Sequence, residues 1–111
     1  MPEPQATWNP SLGLYRQEGP GHTAPVATLP AVHNGVLTAA QLCCRAQSGR
    51  LAATELLAAL RAFRAMQELA PGERHGCLRW YWEEPATEDT NASFFIGLAL
   101  QVLYLAEGAR L

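Results

Sequence analysis

The stretch that decides the architecture is "NASFFIGLALQVLYLAEG", Asn91 to Gly108. From Ala92 to Ala106 the apolar run is broken only by Ser93, Gly97 and Gln101. Thr90 and Asn91 are good helix caps, and Asp89 stands where a negative charge favours the positive end of the helix dipole. The stretch therefore reads as a helix over residues 91–107. Phe94, Phe95, Ile96, Leu98, Leu100, Val102, Leu103, Tyr104 and Leu105 cover nearly its whole circumference, and a helix apolar on all sides must be surrounded on all sides. It falls short of the roughly 20 residues that a membrane-spanning helix requires. It reads as a buried helix.

Upstream, "RLAATELLAALRAFRAMQELAPG" begins at Arg50 and carries an apolar stripe of Leu56, Leu60 and Phe63, with Arg61, Arg64 and Glu68 facing elsewhere. Ala52 is a weak cap, but Leu51 and Leu56 sit at the two positions of a hydrophobic staple. This predicts a helix over 53–69, ended by Pro71-Gly72. A shorter one is expected over 39–47, with Thr38 and Gln41 in capping-box spacing and Gly49 as the stop; a start nearer Ala31 is the alternative. Residues 1–30 hold six of the eight prolines and no sustained period, so they read as an extended arm laid over the helices through Trp8, Leu12, Leu14 and Tyr15. The predicted fold is mainly α: three helices over 39–47, 53–69 and 91–107 in a domain of residues 31–111, preceded by the arm.

One small domain fits 111 residues. A net charge of −2 with interspersed signs gives no footprint for nucleic acid or an anionic membrane surface. Three cysteines, two of them adjacent at Cys43 and Cys44, suit a disulfide framework badly and point to a reducing compartment. The N-terminus carries neither a basic nor an apolar signal segment, so a cytoplasmic location is expected.

The chemistry is concentrated in "RWYWEEPATEDTNASFF", Arg79 to Phe95, on a connection of about twenty residues, which is long for a compact domain. Alternation sends Trp80 and Trp82 to one face and Arg79, Tyr81 and Glu83 to the other, as in a short β segment. Aromatic faces beside Glu83, Glu84 and Asp89 are materials for a sugar subsite, and equally for a protein-binding hot spot. The plainer alternative is that the tryptophans lock the loop to the helices. Glu83 and Glu84, as sequence neighbours, make a poor glycosidase pair. His22, His33, His75 and the cysteines lack metal-ligand spacing, so no metal or cofactor is expected. There is no Gly-x-Ser-x-Gly elbow and no glycine-rich phosphate loop. Asn91-Ala-Ser93 matches a glycosylation acceptor but reads as a helix cap.

The segment "GCLRWYWEEPATEDTNASFFIGLALQVLYL", Gly76 to Leu105, resembles one helical hairpin of the α/α-toroid proteins, the six-hairpin glycosidase-like group. The resemblance implies a sugar-binding mouth lined by aromatic and acidic loop residues, with apolar helices around an axis that three helices cannot close alone. No catalytic role carries over.

Two functional expectations result. The first is an interaction or ligand-binding protein that self-associates or docks on a protein partner through Phe94, Phe95, Leu98, Val102 and Leu105, because two amphipathic helices and an arm cannot cover the last helix. It would present Arg79, Trp80, Tyr81, Trp82, Glu83, Glu84 and Asp89 as its binding loop. The second is a carbohydrate-active protein in which Trp80, Tyr81 and Trp82 stack sugars and Glu83, Glu84 or Asp89 are the candidate acids.

Overall fold

The computed structural model describes residues 6–108. Among these, three strands and three α-helices follow in order: β1 (Ala6–Asn9), β2 (Leu14–Glu18), β3 (Ala31–Asn34), α1 (Gly35–Gln47), α2 (Ala53–Ala65) and α3 (Asn91–Glu107), with one 3-10 turn at Ala24–Val26 between β2 and β3. The strands form one antiparallel sheet in the order β1-β2-β3. The mainly α fold expected from the sequence is therefore wrong; the architecture mixes α and β. The stretch that reads as an arm contributes two of the strands, β1 and β2, while its residues 1–5 lie outside the described residues.

Local chemistry explains why the prolines did not prevent this. In β1 and β2 the register sets Trp8 against Tyr15, whose rings lie 5.3 Å apart. Between those strands Asn9 folds its side chain back, Oδ1 accepting from the amides of Ser11 and Leu12 at 3.1 and 3.2 Å, and Gly13 closes the turn at φ +83°. Pro10, Pro20, Pro25 and Pro30 all fall outside the three strands, where their missing N–H groups cost no ladder bond. The prolines mark the turns of a meander.

Helix α1 starts at Gly35, four residues before the expected 39. Its cap is Asn34, which accepts from the Leu37 amide at 2.8 Å. Thr38, expected as the cap, lies buried within the helix, donating its hydroxyl to the Asn34 carbonyl and accepting the Tyr15 amide from β2. One side chain thus ties the helix to the sheet. Helix α2 starts at Ala53 as its staple suggests, with Leu51 and Leu56 both buried, but ends at Ala65, short of 69. Beyond Met66 the chain leaves the helix to pair with the loop: Gln67 bridges Leu78, Glu68 N–H donates to the Cys77 carbonyl, and Arg79 N–H donates to that of Met66.

The main core joins Leu14 of the sheet to Ala39 and Leu42 of α1, Leu56, Ala59 and Phe63 of α2, and Ile96 and Leu103 of α3. A smaller second core of Val26, Val32 and Tyr81 lies under the β2–β3 connection. Gly13 approaches α2 so closely that a Cβ there would stand 2.3 Å from the Ala58 carbonyl oxygen. No helix among the described residues is long and apolar enough to cross a membrane.

Candidate functional site

The Arg79–Asp89 loop runs beside β3. Gly35 N–H donates to the Trp80 carbonyl at 2.7 Å, Trp82 N–H donates to that of His33 at 2.9 Å, and Tyr81 forms an isolated antiparallel bridge with Asn34. The loop thus holds a single β-bridge where a short β segment was expected. Trp80 and Trp82 pack against the main core and Tyr81 enters the second one.

Of the three acids singled out by the sequence, Glu84 is the most deeply placed, at 1% exposure. One carboxylate oxygen accepts from the amides of Trp80 and Tyr81, both at 2.9 Å, and the other from the Thr23 hydroxyl at 2.7 Å. A buried carboxylate must find such donors or lose its hydration uncompensated. Glu84 therefore pins the aromatic loop to the β2–β3 connection.

Glu83 and Asp89 each take a histidine from the sheet region. Glu83 receives both the backbone amide and ring Nδ1 of His33, at 2.8 and 2.7 Å. The other ring nitrogen of His33 lies 3.0 Å from Asn9 Nδ2. Because Asn9 Oδ1 is committed to its own turn, its amide nitrogen must donate to His33 Nε2, which assigns the ring proton to Nδ1. Asp89 Oδ2 receives His22 Nε2 at 2.8 Å, while His22 Nδ1 lies 2.6 Å from the Tyr81 hydroxyl. The hydrogen bond from His22 holds the Asp89 carboxyl below the ordinary carboxylate range, helped by the Asn91 amide. Burial pushes the Tyr81 phenol up, offset in part by the His22 backbone N–H and reinforced by the negative charges of Glu84 and Asp89. The Tyr81 hydroxyl also accepts the His22 backbone N–H at 3.2 Å, so two groups of His22 hold it.

Tyr81, His22 and Asp89 form a relay with the connectivity of a nucleophile–base–acid triad. Its terminal oxygen is closed off, however, since Tyr81 is 3% exposed, and a general base must reach a substrate proton. The aromatic side chains are likewise engaged with each other. Trp80 has the His22 ring at 4.4 Å and the Phe95 ring at 5.8 Å, both edge to face. The Arg79 guanidinium lies 5.5 Å over Trp82, and its Nη1 donates to the Glu84 carbonyl at 3.0 Å. A stacking sugar would have to displace these neighbours. No group of three or more His, Cys, Asp or Glu residues able to hold a metal occurs among the described residues.

Sequence reasoning did not reach His22 and His33 as partners of the loop. They lie 67 and 50 residues from Asp89 and Glu83, and no local spacing signals such a pairing.

The surface left open is on α3. Phe94, Phe95, Leu98, Val102 and Leu105, the residues expected at an interface, are 45 to 84% exposed. Ala92, Ile96 and Leu103 are the buried side of that helix. On another side, Leu56 and Leu60 of α2 and Leu100, Leu103, Tyr104 and Leu105 of α3 line an apolar groove of about 570 Å³.

No family model matches this chain, and comparison with curated proteins and with solved structures finds no match either. The likeness of residues 76–105 to a toroid hairpin rests on those residues alone.

Proposed function

We propose that this protein is an interaction module that docks on a protein partner through the exposed apolar face of α3, with the aromatic-acidic loop serving to hold the scaffold together. The observation that carries the reading is the exposure of Phe94, Phe95, Leu98, Val102 and Leu105 along one helix that bears no charged side chain from Asn91 to Ala106. At these exposures the five side chains leave on the order of 500 Å² of apolar surface wet, at the upper end of what monomers carry. The polar groups of the loop support the same reading from the other direction, since Glu83, Glu84 and Asp89 all spend their oxygens on internal donors.

A displayed library of amphipathic helices tests it, panned in parallel against the wild type and a Leu98→Glu/Val102→Glu variant. The wild type enriches helices with a continuous apolar stripe, and these bind the variant at least about tenfold more weakly. Equal enrichment on both proteins, or none, overturns the reading.

A further inference from the structure

The outermost apolar residues of α3 have a spacing that the docking reading does not by itself require. Phe95, Leu98, Val102 and Leu105 follow at steps of three, four and three, the seam of a heptad repeat. At 100° per residue the direction opposite this seam falls on Leu100, which is half-buried and lines the groove against Leu56 and Leu60 of α2. The seam therefore looks away from the domain's own helices except at Leu105, which also borders that groove.

We infer that the occupant of this face is a second copy of the same chain, with the two α3 helices antiparallel across a two-fold axis at position 100. The inference rests on the docking reading and specifies its partner. Four properties favour it. The seam is symmetric about its own midpoint, so an antiparallel copy sets Phe95 opposite the partner's Leu105 and Leu98 opposite the partner's Val102, and one operator satisfies all four positions at once. The flanking residues Phe94, Ala99, Gln101 and Ala106 are uncharged, so the face meets itself without the like-charge cost that a charged helix would incur. Opposed helix dipoles favour the antiparallel sense. Finally, two such faces remove on the order of 1,000 Å² in total, at the threshold for a specific interface.

The seam is short, since a 17-residue helix spans about 25 Å. A free peptide of that length would be marginal in water. Here the helix is already folded on α1, so association orders nothing except side chains. The expected result is a dimer with Kd on the order of micromolar.

Sedimentation equilibrium from about 1 µM to several hundred µM tests the stoichiometry. The wild type rises from 12.1 kDa to twice that mass, and Leu98→Glu stays monomeric with an unchanged far-UV CD spectrum; Val102→Gln, a milder change, weakens the dimer at least about tenfold. For the orientation, Cys43, Cys44 and Cys77 are first replaced by Ala or Ser. An equimolar mixture of Leu98→Cys and Val102→Cys proteins then forms a disulfide-linked dimer under mild oxidation, and neither protein alone does so. A wild type that remains at 12.1 kDa throughout overturns the self-pairing; if it still enriches Leu98-dependent helices, the docking reading survives with a different partner. A dimer that persists in Leu98→Glu, or Leu98→Cys cross-linking on its own, overturns the α3 antiparallel seam.

Discussion

Replacing Glu84 by Ala removes the acceptor for three donors at once. The Trp80 and Tyr81 amides and the Thr23 hydroxyl lie 2.7–2.9 Å from its carboxylate, and the residue is 1% exposed, so no water takes its place without opening the structure. Hydrogen bonds to a charged group contribute about 1.5–3 kcal/mol each, and an orphaned buried donor costs about 1–3 kcal/mol. Allowing for non-additivity within one cluster, the loss comes to about 4–6 kcal/mol. A domain of this size has about 5–15 kcal/mol in total, so Glu84→Ala brings the fold to the edge of stability. Glu84→Gln is the informative control. Its carbonyl oxygen still serves both amides, and the Thr23 hydroxyl can rotate to accept from the new NH2, which limits the loss to about 1–2 kcal/mol. Urea denaturation followed by tryptophan fluorescence and by far-UV CD measures both variants. If Glu84→Ala costs less than about 2 kcal/mol, or if Gln is as damaging as Ala, the carboxylate is not the pin described here.

Gly13→Ala is expected to lose about 2–4 kcal/mol in the same denaturation assay, because the residue must keep φ +83° and its Cβ would meet the Ala58 carbonyl at 2.3 Å. Gly97→Ala goes the other way: no atom lies within 4 Å of the added Cβ, so the helix-propensity gain of about 0.5–1 kcal/mol should appear as a higher urea midpoint. For Asp89, whose folded-state carboxyl is more acidic than its ordinary value of 3.8, the linked stability is fully present above that value and is lost as pH falls through the lower folded one. Asp89→Asn should therefore reduce stability at pH 5 to 6 and flatten its decline as pH falls below about 4, measured by urea titrations at stepped pH.

How much of this was legible beforehand depends on whether the signal was local. Helix α3 was readable over 91–107 because length and continuous apolarity lie within the segment itself, although Thr90, expected as a cap, makes no side-chain capping bond. The staple at Leu51 and Leu56 placed the start of α2 for the same reason. Its end was not readable: nothing within 66–69 says that Gln67 will bridge Leu78. The sheet was missed because composition outweighed pattern. In residues 1–30 the prolines and glycines read as an arm, and the strands behind the pairs Trp8–Tyr15 and Gln17–Val32 are only four or five residues long, each with just one or two β-favouring side chains among residues that strands disfavour. The loop's aromatic and acidic residues stood out in the sequence, but their partners did not. Their partners Thr23, His22 and His33 lie 50 to 67 residues away, beyond the reach of any spacing argument.

The placement of these polar groups bears on why α3 is left open. A loop whose carboxylates bond to the sheet region and whose tryptophans press on the core fixes Asp89, and Asp89 in turn accepts the Asn91 amide at the first turn of α3 at 3.0 Å. Two residues on, Ser93 accepts the Leu78 amide at 2.8 Å, and Cys43 of α1 reaches the Ala99 carbonyl at 3.8 Å. The helix is thus tied to the domain at its N-terminal end and along its middle, all from the side of Ala92, Ile96 and Leu103. Nothing in that set of contacts needs Leu98 or Val102, while Phe95 spends only one edge on Trp80 and Leu105 only its side towards the α2 groove. An exposed apolar side chain that does not stabilise its own domain carries an aggregation liability. Four of them in heptad register on a helix held rigid by its other side are the pattern the proposed helix-docking surface requires, with most of the ordering cost already met by the fold that carries it.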